Sequence, residues 1–273
     1  NFYIPEIFPN QKIKKNLNSM GYENVFLVKP KEYISIGKDL NLYVIPPMNE
    51  FGQETKEMQN IDTNGISIDA GFLLRNENNK ICMMADNSPY YFDNHPDVID
   101  ELSNSDIVML PYNGYAADFP LNFINFSREE RSEMSDHQST KRMHLQSKFL
   151  KKINAKNTLM YSSDFALAGP MAYEFFTIHP KKWLDKKLAA IEYEKNTNIQ
   201  THYLHNEDEM QIDSNSNVSI LRNNYQIPDP MDFAKSIYSE IPNTRYLFEN
   251  IKNMKVLKNT FHSASENLFD KMK

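Results

Sequence analysis

Short apolar runs, each closed by a polar or proline-bearing loop, recur along this chain. They fall at 25–28, 33–36, 40–45, 81–85, 106–110 and 158–161. Runs of that length bounded by turn residues predict strands. The segments 66–74 and 81–84 flank Asn76-Glu77-Asn78-Asn79 and read as a hairpin. Helical spacing is found between and around the strands. Ile13 and Leu17 stand four apart in a segment that runs from 9 to 20 and stops at Gly21. A short helix is predicted over 96–102. Ser127-Arg128-Glu129-Glu130 opens a charged helical stretch that reaches 153, as one long helix or two. A helix anchored by Trp183 is predicted over 180–190, strands around a turn over 200–220, and further helix from 228. There is no internal repeat. The alternation predicts a layered α/β protein.

The stretch 65–123 is the richest. Its two apolar strands end in Asp86-Asn87-Ser88-Pro89 and in Pro111-Tyr112-Asn113-Gly114. Loops at the carboxyl ends of buried strands are where α/β layers place ligands and metals. An acid at the tip of an apolar strand is costly unless something positive or hydrogen-bonded meets it. Asp86 is therefore the expected centre of a site. The loop after Ile45, from 48 to 64, exceeds a dozen residues, a length usual for functional or disordered loops.

Composition narrows the function classes. The 273 residues suit one large domain or a domain with an appendage. Hydrophobic residues at 40%, with 12% aromatic, are enough for a full core. A net charge of -6 argues against nucleic acid as a partner, because phosphate binding needs a basic face. Cys82 is the one cysteine, so an internal disulfide and a cysteine-cluster metal site are excluded. Its place within an apolar strand predicts a buried, inert thiol. No apolar run approaches a membrane span and no signal peptide is visible, so a cytoplasmic location and no membrane partner are expected. Seven glycines leave little room for a phosphate loop, and no Gly-x-Ser-x-Gly elbow is present.

The order strand, Asp86-Asn87, helix, strand, Pro111-Tyr112-Asn113-Gly114 resembles the second half of a metallo-β-lactamase fold. Within that superfamily it is most similar to the branch of CMP-N-acetylneuraminate hydroxylase-like proteins. Two motifs add to the resemblance: Ala116-Ala117-Asp118-Phe119-Pro120, a small-residue run before an aromatic–proline pair, and Tyr161-Ser162-Ser163-Asp164-Phe165, a polar loop where ordinary members place a last metal histidine. The resemblance covers about residues 1–190. It implies a metallo-β-lactamase-like αββα sandwich over 1–190, with 191–273 as a carboxy-terminal α+β extension.

It also implies metal-dependent chemistry, a hydrolase or oxygenase, on a small polar substrate such as a nucleotide-activated or phosphorylated sugar. The metal would be zinc or iron, two ions in the intact protein, bridged by Asp86. The superfamily's His-x-His-x-Asp-His motif is nowhere in the chain. In the family it lies just before the point that matches Asn1. The strand-first start at Phe2-Tyr3-Ile4-Pro5 accordingly leads us to expect that an amino-terminal segment outside this chain contributes part of the sheet and of the metal site. The rival reading is a non-catalytic binding or scaffold protein of the same fold that has lost its metal ligands.

Each candidate residue has a plainer reading beside it. Asp86 could be only a turn aspartate before Ser88-Pro89. Where the fold usually has a histidine ligand, this chain has Met48 or Asn49, neither a normal zinc ligand; Asn49 could hydrogen-bond substrate or water, or sit in a simple exit loop. His95 could ligate the metal, yet it lies where a helix starts, with Asp93 or Asn94 available as caps. Asn113 and Asp164 could line the substrate site. His137 and His144, seven apart, share a helix face but are too far apart for one metal, and His202 and His205 are expected to be solvated.

Overall fold

The computed structural model describes residues 1–6, 10–46, 70–84, 95–112, 125–161, 178, 181–205, 207–223 and 232. By its internal contacts the chain divides into two compact units, Asn1–Phe165 with Phe175–Ile227, and Ala166–Glu174 with Pro228–Lys273. Of the second unit only Asp232 is among the described residues, so the architecture below is that of the first. Among the described residues, no helix is long and apolar enough to cross a membrane.

Among the described residues, a seven-stranded mixed sheet organises this unit. Its strands are β3 (Tyr33–Gly37), β4 (Leu40–Ile45), β5 (Gly71–Arg75), β6 (Lys80–Met83), β7 (Ile107–Pro111), β8 (Asn157–Tyr161) and β9 (Gln200–Tyr203), in that spatial order. The β3–β4, β4–β5 and β5–β6 pairs are antiparallel, and β6 through β9 are parallel. The β5–β6 hairpin turns on Asn76, whose Oδ1 accepts from the backbone N–H groups of Asn78 and Asn79. A boundary near 190, as read from the sequence, falls inside a helix that leads into β9.

Helices α2 (Pro96–Leu102), α3 (Arg128–Lys152), α4 (Lys181–Leu184) and α5 (Lys186–Thr197) connect the parallel strands. They pack on the face that carries Tyr43, Ile45, Leu73, Cys82, Met84, Val108, Leu110, Tyr112 and Met160. With period-2 alternation, these positions line up across the sheet, as Tyr43↔Leu73↔Cys82↔Val108 shows. Cys82 is fully buried there, and burial pushes its thiol up, as expected of an inert core cysteine. A smaller cluster of Val28, Val44 and Ala70, joined by Tyr3, Ile34 and Phe72, occupies the other face. It includes side chains of β1 (Phe2–Pro5) and β2 (Val25–Val28), a parallel pair connected by α1 (Asn10–Ser19). Gly21, at φ +92, ends that connection in a conformation that favours glycine.

Local chemistry explains the helix limits. α3 is one long helix, opened by a full capping box: Ser127 Oγ accepts from Glu130 N, and Glu130 Oε2 accepts from Ser127 N. The helix predicted over 180–190 is broken at Asp185. Its carboxylate accepts from the N–H groups of Lys187 and Leu188 at 2.8 and 3.2 Å and starts α5, which continues to Thr197. Asn104, Asn154 and Asn198 each take positive φ just after α2, α3 and α5. The same left-handed stop thus turns three of the four connecting helices toward the next strand.

Where β6 to β8 begin, a buried carboxylate holds the sheet together. Asp106 is 3% exposed. It accepts from the backbone N–H of Lys80 at 2.6 Å, from Lys156 Nζ at 2.7 Å and from Ser216 Oγ. Asn157 Nδ2 donates to the carbonyls of Asp106 and Ser216 at 3.1 and 3.3 Å. Its Oδ1 is thereby left to accept from His202 Nε2, 3.3 Å away. His202 is 8% exposed, which corrects the expectation of a solvated histidine. It lies opposite Leu159 in register, on the second face of the sheet. Ser216 belongs to the turn between β10 (Glu209–Ile212) and β11 (Val218–Leu221), so the network anchors that hairpin as well.

These groups set an acid dependence. Burial works to raise the Asp106 carboxyl, but the bonds from Lys156, Ser216 and the Lys80 N–H prevail and hold it below the usual carboxylate range. Its stabilisation is complete above the unfolded value of about 3.9 and is lost as pH falls through the lower folded value. For His202, burial first, and Arg222 with it, lowers the pKa against the pull of Glu194. The unfolded chain then binds the proton more readily, so stability starts to fall as pH drops below about 6.5. Urea midpoints measured from pH 8 to pH 2 should therefore decline in two stages. His202→Gln should flatten the first. Asp106→Asn should cost about 2–3 kcal/mol at pH 7 and make the second shallower, with Asp208 and the other lowered carboxyls keeping the rest.

Candidate functional site: the carboxyl edge of the sheet

β4 runs antiparallel to β5 and β5 antiparallel to β6, so β4 points the same way as β6, β7, β8 and β9. All five strands therefore end at one edge. The residues there are Ile45, Met83, Pro111, Tyr161 and Tyr203. Four of the polar loops picked out from the sequence leave from this edge, those after β4, β6, β7 and β8. Asn49, Asp86, Asn113 and Asp164 themselves lie outside the described residues.

His95 is described. It occupies the N-cap position of α2, and its carbonyl accepts from the N–H groups of Val98 and Ile99 at 3.1 Å each. Its side chain makes no capping hydrogen bond. Asp93 and Asn94, the caps expected from the sequence, lie outside the described residues. Two contacts orient α2. Asp97 in its first turn pairs with Lys31 Nζ at 2.8 Å, and the Lys31 N–H donates to the Val44 carbonyl near the end of β4. At the other end, Lys80 Nζ donates to the carbonyls of Glu101 and Ser103, next to the start of β6. His95 is thus on the carboxyl-edge side of the sheet, half-buried. Among the described residues, no three His, Cys, Asp or Glu side chains gather as a metal ion requires. His137 and His144 are both exposed along α3.

Two features of this edge go beyond the sequence reading. Gly71 faces Ile45 across the β4–β5 ladder, and a Cβ there would sit 2.8 Å from the Met83 carbonyl oxygen and 3.1 Å from Ile45 Cδ1. The strand ends of β4, β5 and β6 are packed too closely for a side chain. The second feature is a buried polar link. Gln146 on α3 donates from Nε2 to the Pro111 carbonyl at 3.0 Å, and its Oε1 accepts from the Tyr193 hydroxyl of α5. Burial raises the Tyr193 hydroxyl pKa, which keeps it a donor. The signal for Gln146 was present but faint: a polar residue three positions from Met143 on the apolar side of α3.

Past β9 the chain turns tightly. The Asp208 carboxylate, which is pulled down to about 2, first by the His205 N–H against the effect of burial and then by Asn223 N–H and Arg222, ties the base of the β10–β11 hairpin. Arg222 lies 4.2 Å over the Tyr203 ring, and His205 meets that ring edge-on at 5.2 Å. The His205 Nδ1 is buried without a hydrogen-bond partner, so this histidine, like His202, is less solvated than expected.

No protein-family model matches this chain, and no curated protein does. Among solved structures it is similar to CmlA, a diiron beta-hydroxylase from Streptomyces venezuelae, with a TM-score of 0.43 and 14% identity over 76% of this chain and 36% of CmlA. A mutant form of the same hydroxylase gives 0.43, 13%, 76% and 35%. A protein of Parabacteroides distasonis ATCC 8503, provisionally named a metal-dependent hydrolase, gives 0.35 and 12% over 70% of this chain and 61% of its own. This chain therefore spans little more than a third of the hydroxylase it matches. Likenesses this distant assign neither family nor activity.

The packing at the edge makes a contrast that can be measured. Gly71→Ala should lose about 1–3 kcal/mol, because backbone must shift to admit the methyl group. Gly37→Ala, whose Cβ would meet nothing closer than Leu40 Cβ at 4.0 Å, should change stability little. Chemical denaturation of both variants checks this.

Proposed function

We propose that this chain is the later part of a metallo-β-lactamase-like αββα domain. In this reading the carboxyl edge of its sheet holds a metal-dependent site, with Asp86 as bridging ligand and His95 as a second donor. Asn49, Asn113 and Asp164 line the substrate side. One observation carries the reading: the ends of β4, β6, β7 and β8 share an edge. The four residues follow their strand ends by only two to four positions. At no more than about 3.5 Å per residue, the covalent chain keeps each near its tip. Adjacent strands are about 4.8 Å apart, so the tips of β6, β7 and β8 span about 10 Å, the width of a small-molecule site.

The bound metal, zinc or iron, would supply an activated water or oxygen species. This chain's own part is to hold and orient. In this reading Asp86 and Asp164 would bring carboxylates and Asn113 an amide to the loops after β6, β8 and β7, and His95 an imidazole at the start of α2. The reading takes a small polar substrate, with a nucleotide-activated or phosphorylated sugar as the substrate class, a cytoplasmic setting, and neither nucleic acid nor membrane as partner. It also takes a segment outside this chain to supply further metal ligands. Among the described residues, β1 and β2 form a two-stranded parallel pair with Phe2 and Phe26 more than 40% exposed. Parallel strands are ordinarily found within larger, covered sheets.

The test is elemental. The chain, with its native upstream sequence where that exists, should bind zinc or iron in stoichiometric amount. Asp86→Asn should remove most of it while circular dichroism stays unchanged, because in this reading the carboxylate serves the metal and not the core. Equal metal content in both proteins would make Asp86 a turn residue and leave no bridging role for it.

A further inference from the structure

We propose that β3 is the seam of a two-fold homodimer, in which this outer edge of the sheet pairs antiparallel with the same edge of a second copy. The inference is independent of the metal reading. Among the described residues the sheet has two outer strands, β3 and β9. An outer strand presents main-chain N–H and C=O groups that no ladder satisfies, and folded proteins cover or disrupt such edges. β9 is covered. Its Thr201 N–H donates to Glu194 Oε2 at 3.2 Å, and Lys186 Nζ donates to the Leu204 carbonyl just beyond it at 2.8 Å. Both of those side chains come from α5. β3 has no such cover among the described residues. The side-chain bond to its backbone comes from within the strand, from Ser35 Oγ to the Gly37 carbonyl at 3.0 Å. Tyr33, Ser35 and Gly37 are exposed, and Ile34 and Ile36 are half-buried.

The charges around β3 select a second copy as the occupant. Ser35 is the middle residue of the strand. Antiparallel pairing with a two-fold axis at Ser35 places Ile34 opposite the partner's Ile36, and Glu32 opposite the partner's Lys38. Each contact occurs twice. Apolar residues thus meet apolar ones, and the acid before the strand meets the base after it. A slip of one residue either way sets Lys31 against Lys38 or Glu32 against Asp39. Like charges therefore exclude the neighbouring registers. Both charges of the matched pair are available. Lys38 is exposed and forms no ion pair among the described residues. Glu32 meets Lys29 at 3.7 Å with both side chains more than half exposed, a pair that holds its members loosely. The irregularity of the β3–β4 ladder lies between Ser35 and Gly37, beside the hairpin turn, and leaves Tyr33 to Ser35 regular. Five residues a side make a short seam, so the association is weak, reached at about 10–100 µM chain.

Sedimentation of the full chain tests this. Across about 5–200 µM chain the mass should rise from one copy toward two. Glu32→Lys alone and Lys38→Glu alone each set like charges together twice per dimer. Each should weaken association by about tenfold or more at low salt. The double variant should restore it. An equimolar mixture of the two single variants should associate more tightly than either variant alone, because each charged position then faces its opposite. Both residues are exposed, so the substitutions leave the fold intact. Hydrogen exchange gives a check that needs no variant: amides of β3 should slow as concentration rises, and those of β9 should not. The proposal is overturned by a wild type that stays monomeric over this range, which leaves the β3 edge to a strand of another protein. It is overturned equally by a dimer that both single variants leave unchanged, or by protection that rises at β9 and not at β3.

Discussion

A single buried carboxylate sets the frame of this molecule. Asp106 joins the start of β6, the start of β8 and the β10–β11 turn through Lys80, Lys156 and Ser216. An unpaired charge at that depth would be ruinous, and the same charge with three donors is tolerated. The requirement is mutual. Asp106 can be buried only where those donors meet, and the donors meet only if β6, β7 and β8 stand side by side in this register. Lys156 contributes from a half-exposed position, its ammonium at the surface end of a short ion pair. The network therefore specifies strand order more than it adds net stability.

The two ends of the sheet divide the work. Where the parallel strands begin, polar side chains are spent on each other: Asp106, Asn157, His202 and Ser216 satisfy one another. Where they end, the packing is made of main chain and close approach, with Gly71 admitting no side chain and Gln146 reaching Pro111 from behind. Loops leaving a firmly held edge can differ in sequence without disturbing the core. That is the physical reason for seeking the chemistry there.

Much of this was legible along the chain. α2 is legible at Pro96 through Leu102: proline suits a first helical turn, and Val98, Ile99 and Leu102 share one face. The α3 start was legible from Ser127 and Glu130, a cap that needs only neighbours three residues apart. The α4–α5 break was missed although Asp185 is a good cap, because Trp183 and Leu188 keep an apolar period across it. His202 reads as solvated because its neighbours in sequence are polar. Its burial comes from Leu159 and Asn157, more than forty residues away.

The sequence by itself determined what depends on near neighbours. Strand lengths, caps, the hairpin turn at Asn76 and the order of strand, polar loop and helix are all set within a few residues by backbone sterics and local hydrogen bonds. Only the tertiary structure decided what depends on register. Which strand ends share an edge, that Asp106 meets Ser216 across 110 residues, and that Gln146 holds Pro111 all follow from how separate strands align. The side-chain period of a strand is two whatever its partner, so a strand's pattern says which residues share a face but not which residues they face.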